Sequence, residues 1–329
     1  MRRRHLLSTA AAAAAAGLAG CSSLPGTGSS GERARYDSWV RDDDDGDVAA
    51  VTLDLSTYRE LGETGTATAT ETPAADPETD DPLLLIPAAY LLGGALAVGF
   101  GVRYGLSDTI ESDGGAEYAH VVDGAIVLEG EFDADVLAAS VEDDAGEAVE
   151  SYEGYELFRT GGLTGDAVVA VSGDAVVVVS AEDAEDPVEA ARSYVDANAD
   201  GSLRYSASDD DYDALATALP RRGVMGVTYS ADGGLFGGDA AAPSDSDETG
   251  LASFSDLDLS GALGGAVSAS FSGSSVTSSV ALRYDSADAI ESEADIEAAL
   301  ADDADDVTVT VDGRTAVIEA TYSGAGVWS

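Results

Sequence analysis

The segment Asp196-Ala197-Asn198-Ala199-Asp200-Gly201-Ser202-Leu203 has the most specific chemical spacing in the chain. Side-chain oxygens at Asp196, Asn198 and Asp200, a glycine at the sixth position and an apolar residue at the eighth match the opening of a calcium-binding loop. A hard cation takes oxygens spaced in this way because a turning backbone converges them on one point. The twelfth position is Ala207, where a bidentate glutamate belongs, and only Asp209 or Asp210 could substitute from downstream. In a chain carrying 63 Asp and Glu residues, a solvated turn that ends a helix is the favoured reading. Calcium held by Asp196, Asn198 and Asp200 is the competing one.

Other chemistries have little to work with. Apart from His5, near the start of the chain, His120 is the only histidine. It lies beside Val121 and Val122 in a predicted strand, where a packed imidazole is expected and not a general base. Zinc sites need several Cys or His and are excluded. The sequence has no Gly-x-Ser-x-Gly elbow, no Walker loop and no His-Glu-x-x-His helix. Carboxylate pairs are so frequent that they nominate no glycosidase without a measured separation. Gly99-Phe100-Gly101 with Gly105 departs from dinucleotide-loop spacing and falls in a predicted helix. Arg221-Arg222 is the one basic pair of the folded region and could dock a carboxylate, but salt bridges to nearby aspartates are the favoured reading. No catalytic residue is assigned.

Hairpins and helices must position these groups. Asp123-Gly124, Gly173-Asp174 and Asp312-Gly313 each sit between apolar runs, as two-residue turns require where glycine supplies positive φ. The flanks of the first and last align: Val122-Asp123-Gly124 leads to Glu129 and Phe132, and Val311-Asp312-Gly313 leads to Glu319 and Tyr322. Helical patterns precede the hairpins at Pro87 to Ile110, Ala134 to Val141 and Ala287 to Leu300, with further helices at Pro187 to Ala197 and Tyr212 to Leu219. Strands are expected at Val48 to Leu55, at Gly223 to Tyr229 and as a serine-rich pair from Ala262 to Arg283. The expected class is α+β, with repeated helix-plus-hairpin units and helices packed on antiparallel sheet.

Low-complexity stretches set the boundaries. Residues 22–35 form a Gly/Ser spacer, and 63–82, with alternating threonines around Pro73 and Pro77, read as a disordered insertion. Residues 36–236 are expected to form an α+β domain, 237–250 a second disordered loop, and 251–329 a hairpin, helix and hairpin of the same or a second domain. Leu83 to Val102 is apolar throughout and long enough to span a membrane. Ala89, Gly93, Ala97, Gly101 and Gly105 give it a small-residue stripe, and Leu83 to Leu106 is read as a buried helix.

Residues 1–21 read as an export signal. Arg2, Arg3 and Arg4 form a twin-arginine segment, the alanine-rich run from Ser8 to Gly20 is too short to span a membrane, and Leu18-Ala19-Gly20-Cys21 closes it. This sequence resembles the lipobox of bacterial-type lipoproteins, which implies lipidation of the Cys21 thiol and export directed by Arg3 and Arg4.

Every basic residue is arginine, lysine is absent, and the net charge is −48. Such self-repulsion is tolerable where concentrated salt screens charges within a few ångströms. The chain is similar to haloarchaeal twin-arginine-exported lipoproteins, which implies a lipid-anchored place on the outer face of the cytoplasmic membrane. Nucleic acid and anionic lipid surfaces are repelled. The expected partner is an envelope protein or a small molecule, and the expected role is non-enzymatic binding or structure. A hydrolase using carboxylates only, or an accessory subunit of a transport system, is the alternative.

Overall fold

A computed structural model describes residues 32–42, 46–57, 115–143, 146–162, 165–181, 186–231, 261–272, 275–290 and 303–323, with single positions at 59, 81, 83, 84, 86, 87, 184, 292, 296, 297, 300 and 301. Its strands are β1 (Asp47–Asp54), β2 (Ala116–Val122), β3 (Ala125–Gly130), β4 (Gly146–Tyr152), β5 (Tyr155–Gly162) and β6 (Gly165–Val171). They continue with β7 (Ala175–Ser180), β8 (Val224–Ser230), β9 (Ala262–Ser272), β10 (Ser275–Tyr284), β11 (Asp306–Asp312) and β12 (Thr315–Ser323). All twelve join in one sheet, in the order β11-β12-β10-β9-β8-β1-β2-β3-β7-β6-β5-β4. Every pairing is antiparallel.

Antiparallel strands with one wet face alternate apolar and polar residues, whereas Ala175-Val176-Val177-Val178-Val179 of β7 is buried without interruption. Both faces of the sheet are covered. On the first face Val177, Val179, Val127 and Val227 pack with Val188, Ala191 and Tyr194 of α2 (Pro187–Ala199) and with Tyr212 and Leu215 of α4 (Asp210–Ala218). On the second, Val169, Val176 and Leu128 meet Leu137 and Val141 of α1 (Ala134–Asp143). Further along that face, Val280, Leu282, Ile318 and Tyr322 meet Leu83, Leu84, Ile86, Ile296 and Leu300. The architecture is α+β with a dominant sheet, and β8 pairs β9 in register, so the sheet crosses from the 36–236 region into the 251–329 region without a break.

Carboxylates start the helices. Asp186 accepts from Val188 N and Glu189 N ahead of α2, with Pro187 in the first turn, where its missing N–H costs nothing. Asp209, which separates α3 (Tyr205–Ser208) from α4, accepts from Asp211 N and Tyr212 N.

Several expectations meet the structure with changes. Asp123-Gly124 is a two-residue turn with φ of 45° and 84°. Glu153-Gly154, with φ of 47° and 87°, makes an equivalent turn between β4 and β5 that the sequence reading did not assign. At the last hairpin Asp312 belongs to β11, and the turn is Gly313-Arg314. A helix does not lead into each hairpin, because α1 precedes a four-strand meander, β4 to β7. The expected helix Ala287 to Leu300 is broken: Ala287–Ala289 is a 3-10 turn, Ile290 is extended with ψ of 125°, and a fresh turn starts where Ser292 O accepts Ile296 N. Leu83, Leu84, Ile86 and Pro87 are helical, and the three apolar ones are buried; the rest of Leu83 to Leu106 lies outside the described residues. Among the described residues no helix is long and apolar enough to cross a membrane.

Gly264 is where β8 and β9 approach most closely. A Cβ there would lie 2.6 Å from Thr228 O and 2.9 Å from Tyr229 Cα, both backbone atoms that cannot swing aside. Gly264→Ala is expected to destabilise the fold by about 1–3 kcal/mol, as overpacking does, and Gly313→Ala by less, since its side is open and only its φ of 59° resists. Thermal melts of the two variants in concentrated salt check the order.

Candidate functional site

The polar groups that combine most tightly lie where the chain enters the sheet. A 3-10 turn, Arg35–Ser38, lies against β1 and β2 and delivers Trp39, which is fully buried. The indole Nε1 donates to Glu129 Oε1 at 2.7 Å. Glu129 Oε2 is 3.2 Å from His120 Nε2, and His120 Nδ1 is 2.8 Å from Thr52 Oγ1. Sheet register builds this chain of contacts: Thr52 is directly opposite His120, and Tyr118, two residues before His120, is opposite Glu129. All three side chains therefore share the first face. Arg35 closes the entrance, its guanidinium 3.8 Å from the Tyr118 ring centroid.

Hydroxyl, imidazole and carboxylate stand here in the order that serves nucleophilic catalysis. Thr52 is 2% exposed and His120 0%, so no substrate reaches either atom. The series ties three strands to the entering turn. Burial alone would raise the Glu129 carboxyl, but the hydrogen bond and charge of His120, the Trp39 indole and Arg35 outweigh it and hold the carboxyl below its ordinary value.

Two other buried carboxylates shift the other way. Burial raises Asp37, against the opposing effects of Ser206, Arg33 and Arg204. It also raises Asp81, which accepts from Leu83 N at 2.9 Å and from the Tyr322 hydroxyl at 3.0 Å. Under α4, Tyr205, Tyr212 and Tyr229 form a cluster with ring centroids 5.3 to 6.0 Å apart. The Tyr229 hydroxyl donates to Asp209 Oδ1 at 2.9 Å, so the residue that caps α4 also fastens it to β8.

The calcium candidates are placed individually. α2 runs to Ala199, two residues beyond the expected end, which leaves Asp196 and Asn198 in helix and Asp200 at its cap. Asp196 accepts from the Tyr152 hydroxyl at 2.8 Å. The Asn198 side chain bonds Tyr155. Asp200 accepts from Ser202 N at 2.9 Å and Ser202 Oγ at 2.8 Å. The positive charge at this helix end is Arg204, whose Nε and Nη2 donate to Ala197 O at 2.9 Å and Asn198 O at 3.0 Å. Among the described residues no three or more His, Cys, Asp or Glu side chains gather as a metal group.

Arg221 and Arg222 both act within the chain, although not on aspartates. Arg222 pairs with Glu319 at 2.5 Å, and Arg221 Nε donates to Arg33 O at 2.5 Å. Sequence reading missed the ion cluster of Asp211 with Arg283 and Arg314, whose members come from α4, β10 and the last hairpin turn. Burial would raise Asp211, but bonds and charge from the two guanidiniums hold it below its ordinary value. Only the scarcity of arginine hinted at such pairs. Cys21, Arg3 and Arg4 lie outside the described residues.

No family model matches the chain. No curated protein matches it at a meaningful level. Among solved structures it is similar to crystal form III of TP0453, with a TM-score of 0.46 and 9% identity over 88% of this chain and 93% of that one. Crystal form I of the same protein gives 0.44 and 9% over 91% and 100%.

Glu129 makes the pH dependence of folding predictable in sign. A carboxylate held below its ordinary value stabilises the fold above about pH 4.5 and loses that contribution as pH falls through the native value. Glu129→Gln is expected to reduce stability near neutrality and to flatten the loss on the acid side. Trp39→Phe, which removes one bond to a charged acceptor, is expected to cost about 1.5–3 kcal/mol. Denaturant titrations across the acid range read both.

Proposed function

We propose that the chain is a lipid-anchored protein on the outer face of the cytoplasmic membrane of an extreme halophile, with a non-enzymatic binding or structural role in the envelope. The observation that carries this reading is the order of features in residues 1–21: Arg2-Arg3-Arg4, a short apolar run, then Leu18-Ala19-Gly20-Cys21. The net charge of −48 and the absence of lysine support the saline habitat.

The inward use of polar groups supports a role other than catalysis. His120 and Thr52 are sealed from solvent, and the buried carboxylates Asp37, Asp81 and Glu129 each serve their own partners in separate parts of the fold. A carboxylate-only hydrolase needs two such groups converging on one substrate. The plan of repeated helix-plus-hairpin units belongs to the same proposal. It is supported by Glu129 and Glu319, equivalent positions in the aligned hairpin flanks, which take His120 and Arg222 respectively.

Lipidation uses the thiol of Cys21, so Cys21→Ser is expected to move the protein from the membrane fraction to the medium or to leave it unprocessed. Replacing Arg3 and Arg4 by Lys is expected to hold it in the cytoplasm. Cell fractionation with a tag at Ser329 reads both, and membrane partition of the Cys21→Ser chain equal to that of the wild type would overturn the anchor. In the same cells, external protease should reach the tag, because a buried segment from Leu83 to Leu106 leaves residues 107–329 outside.

A further inference from the structure

The two edges of the sheet are finished differently. At one edge, β4 has a register shift between Ala148 and Glu150, and α2 is clamped over it, with Arg192 donating to both Glu150 oxygens at 2.7 and 2.6 Å. A bulge, a charge and a covering helix are the devices that keep a strand edge from pairing. At the other edge, β11 pairs β12 in regular register from Asp306 to Asp312, and among the described residues no strand lies on its outer side. It contains no proline or arginine, and its five central residues are all β-branched.

β11 reads Asp306-Val307-Thr308-Val309-Thr310-Val311-Asp312, the same in both directions about Val309. The Gly313-Arg314 turn leaves Asp312 and Thr315 as its flanking pair, and the two-residue geometry makes that pair hydrogen-bonded. By alternation Thr310 and Thr308 bond inward, while Val307, Val309 and Val311 present N–H and C=O outward. A two-fold axis at Val309 would pair these outward groups, set Val309 against Val309 and Val307 against Val311, and place Thr308 beside Thr310. Like β-branched residues then face each other on both surfaces of the sheet.

We propose that β11 is a self-association edge, joining two copies of this chain antiparallel about Val309 into one continuous sheet. The self-complementary order of the strand commits the partner to a second copy, because a two-fold contact presents the same patch from both sides. The charge pattern sets the condition. Asp306 falls opposite Asp312 of the other copy, a like-charge contact at each end that molar salt screens to about 3 Å and dilute salt does not.

Sedimentation of the full chain carrying Cys21→Ser, in concentrated potassium chloride, tests this. The expected result is a concentration-dependent dimer that Val309→Pro converts to monomer without lowering the melting temperature, since that N–H faces outward. A chain that is monomeric at every concentration, or a Val309→Pro chain that dimerises as the parent does, overturns the proposal. If Val309→Pro fails to fold, register decides: Thr308→Cys and Thr310→Cys chains should form a disulfide when mixed and not when separate. No disulfide in the mixture, or equal crosslinking in either chain alone, also overturns it.

Discussion

The whole structure depends on covering both faces of one antiparallel sheet. The chain is poor in large apolar residues, with 6% aromatics. A one-sided sheet would bury only every second residue of its strands. With both faces covered, runs such as Val176 to Val179 are buried at every position, and valine and alanine suffice for a core. Each valine fully removed from water contributes about 1.5–3 kcal/mol. Sixty-three acidic residues must then find places at the rims, in the turns and on the outer helix surfaces, where salt and water solvate them.

With so many carboxylates and so few cations, acceptors outnumber charged donors, and aromatic hydroxyl and indole groups make up the difference. Trp39 binds Glu129, Tyr229 binds Asp209, Tyr152 binds Asp196 and Tyr322 binds Asp81. In each pair a group in one layer or segment holds another, and the aromatic body buries apolar area while its polar tip is satisfied. Arginine is used where two elements meet an acidic third, as when Arg283 and Arg314 share Asp211. The raised carboxyls of Asp37 and Asp81 work against the ionised fold, a cost relieved as pH falls, whereas the depressed Glu129 and Asp211 add stability above the carboxylate range.

Local signals explain what the sequence made legible. Asp123-Gly124 needs positive φ, and the apolar periods of Val48 to Leu55 and Pro187 to Ala197 match β1 and α2 closely. Glu153-Gly154 went unread because glutamate is a weak turn signal, although the backbone is the same. The helix expected from Ala287 to Leu300 failed because alanine and acid residues keep a helical pattern across Ile290, where the chain is extended. The Trp39, Glu129, His120 and Thr52 series was invisible for another reason. Its members are 13 to 90 positions from Trp39, and only strand order and register join them. His120 could be read as packed from its valine neighbours, but its partners could not.

Strand order also separates the anchor from the pairing edge. The chain enters from its spacer beside β1 and β2, near the middle of the sheet, while β11 lies five strands from β1. At about 4.8 Å per strand that is roughly 24 Å, so joining two copies at β11 sets their entry points on the order of 50 Å apart before sheet twist is counted. A spacer of 14 residues from Ser22 to Arg35 reaches about 20 Å as a flexible coil. Two such spacers can therefore lead to separate lipids in one bilayer without strain. Each lipid then raises the effective concentration of the other's attachment, and a pair held by two anchors leaves the membrane far less readily than a single chain held by one.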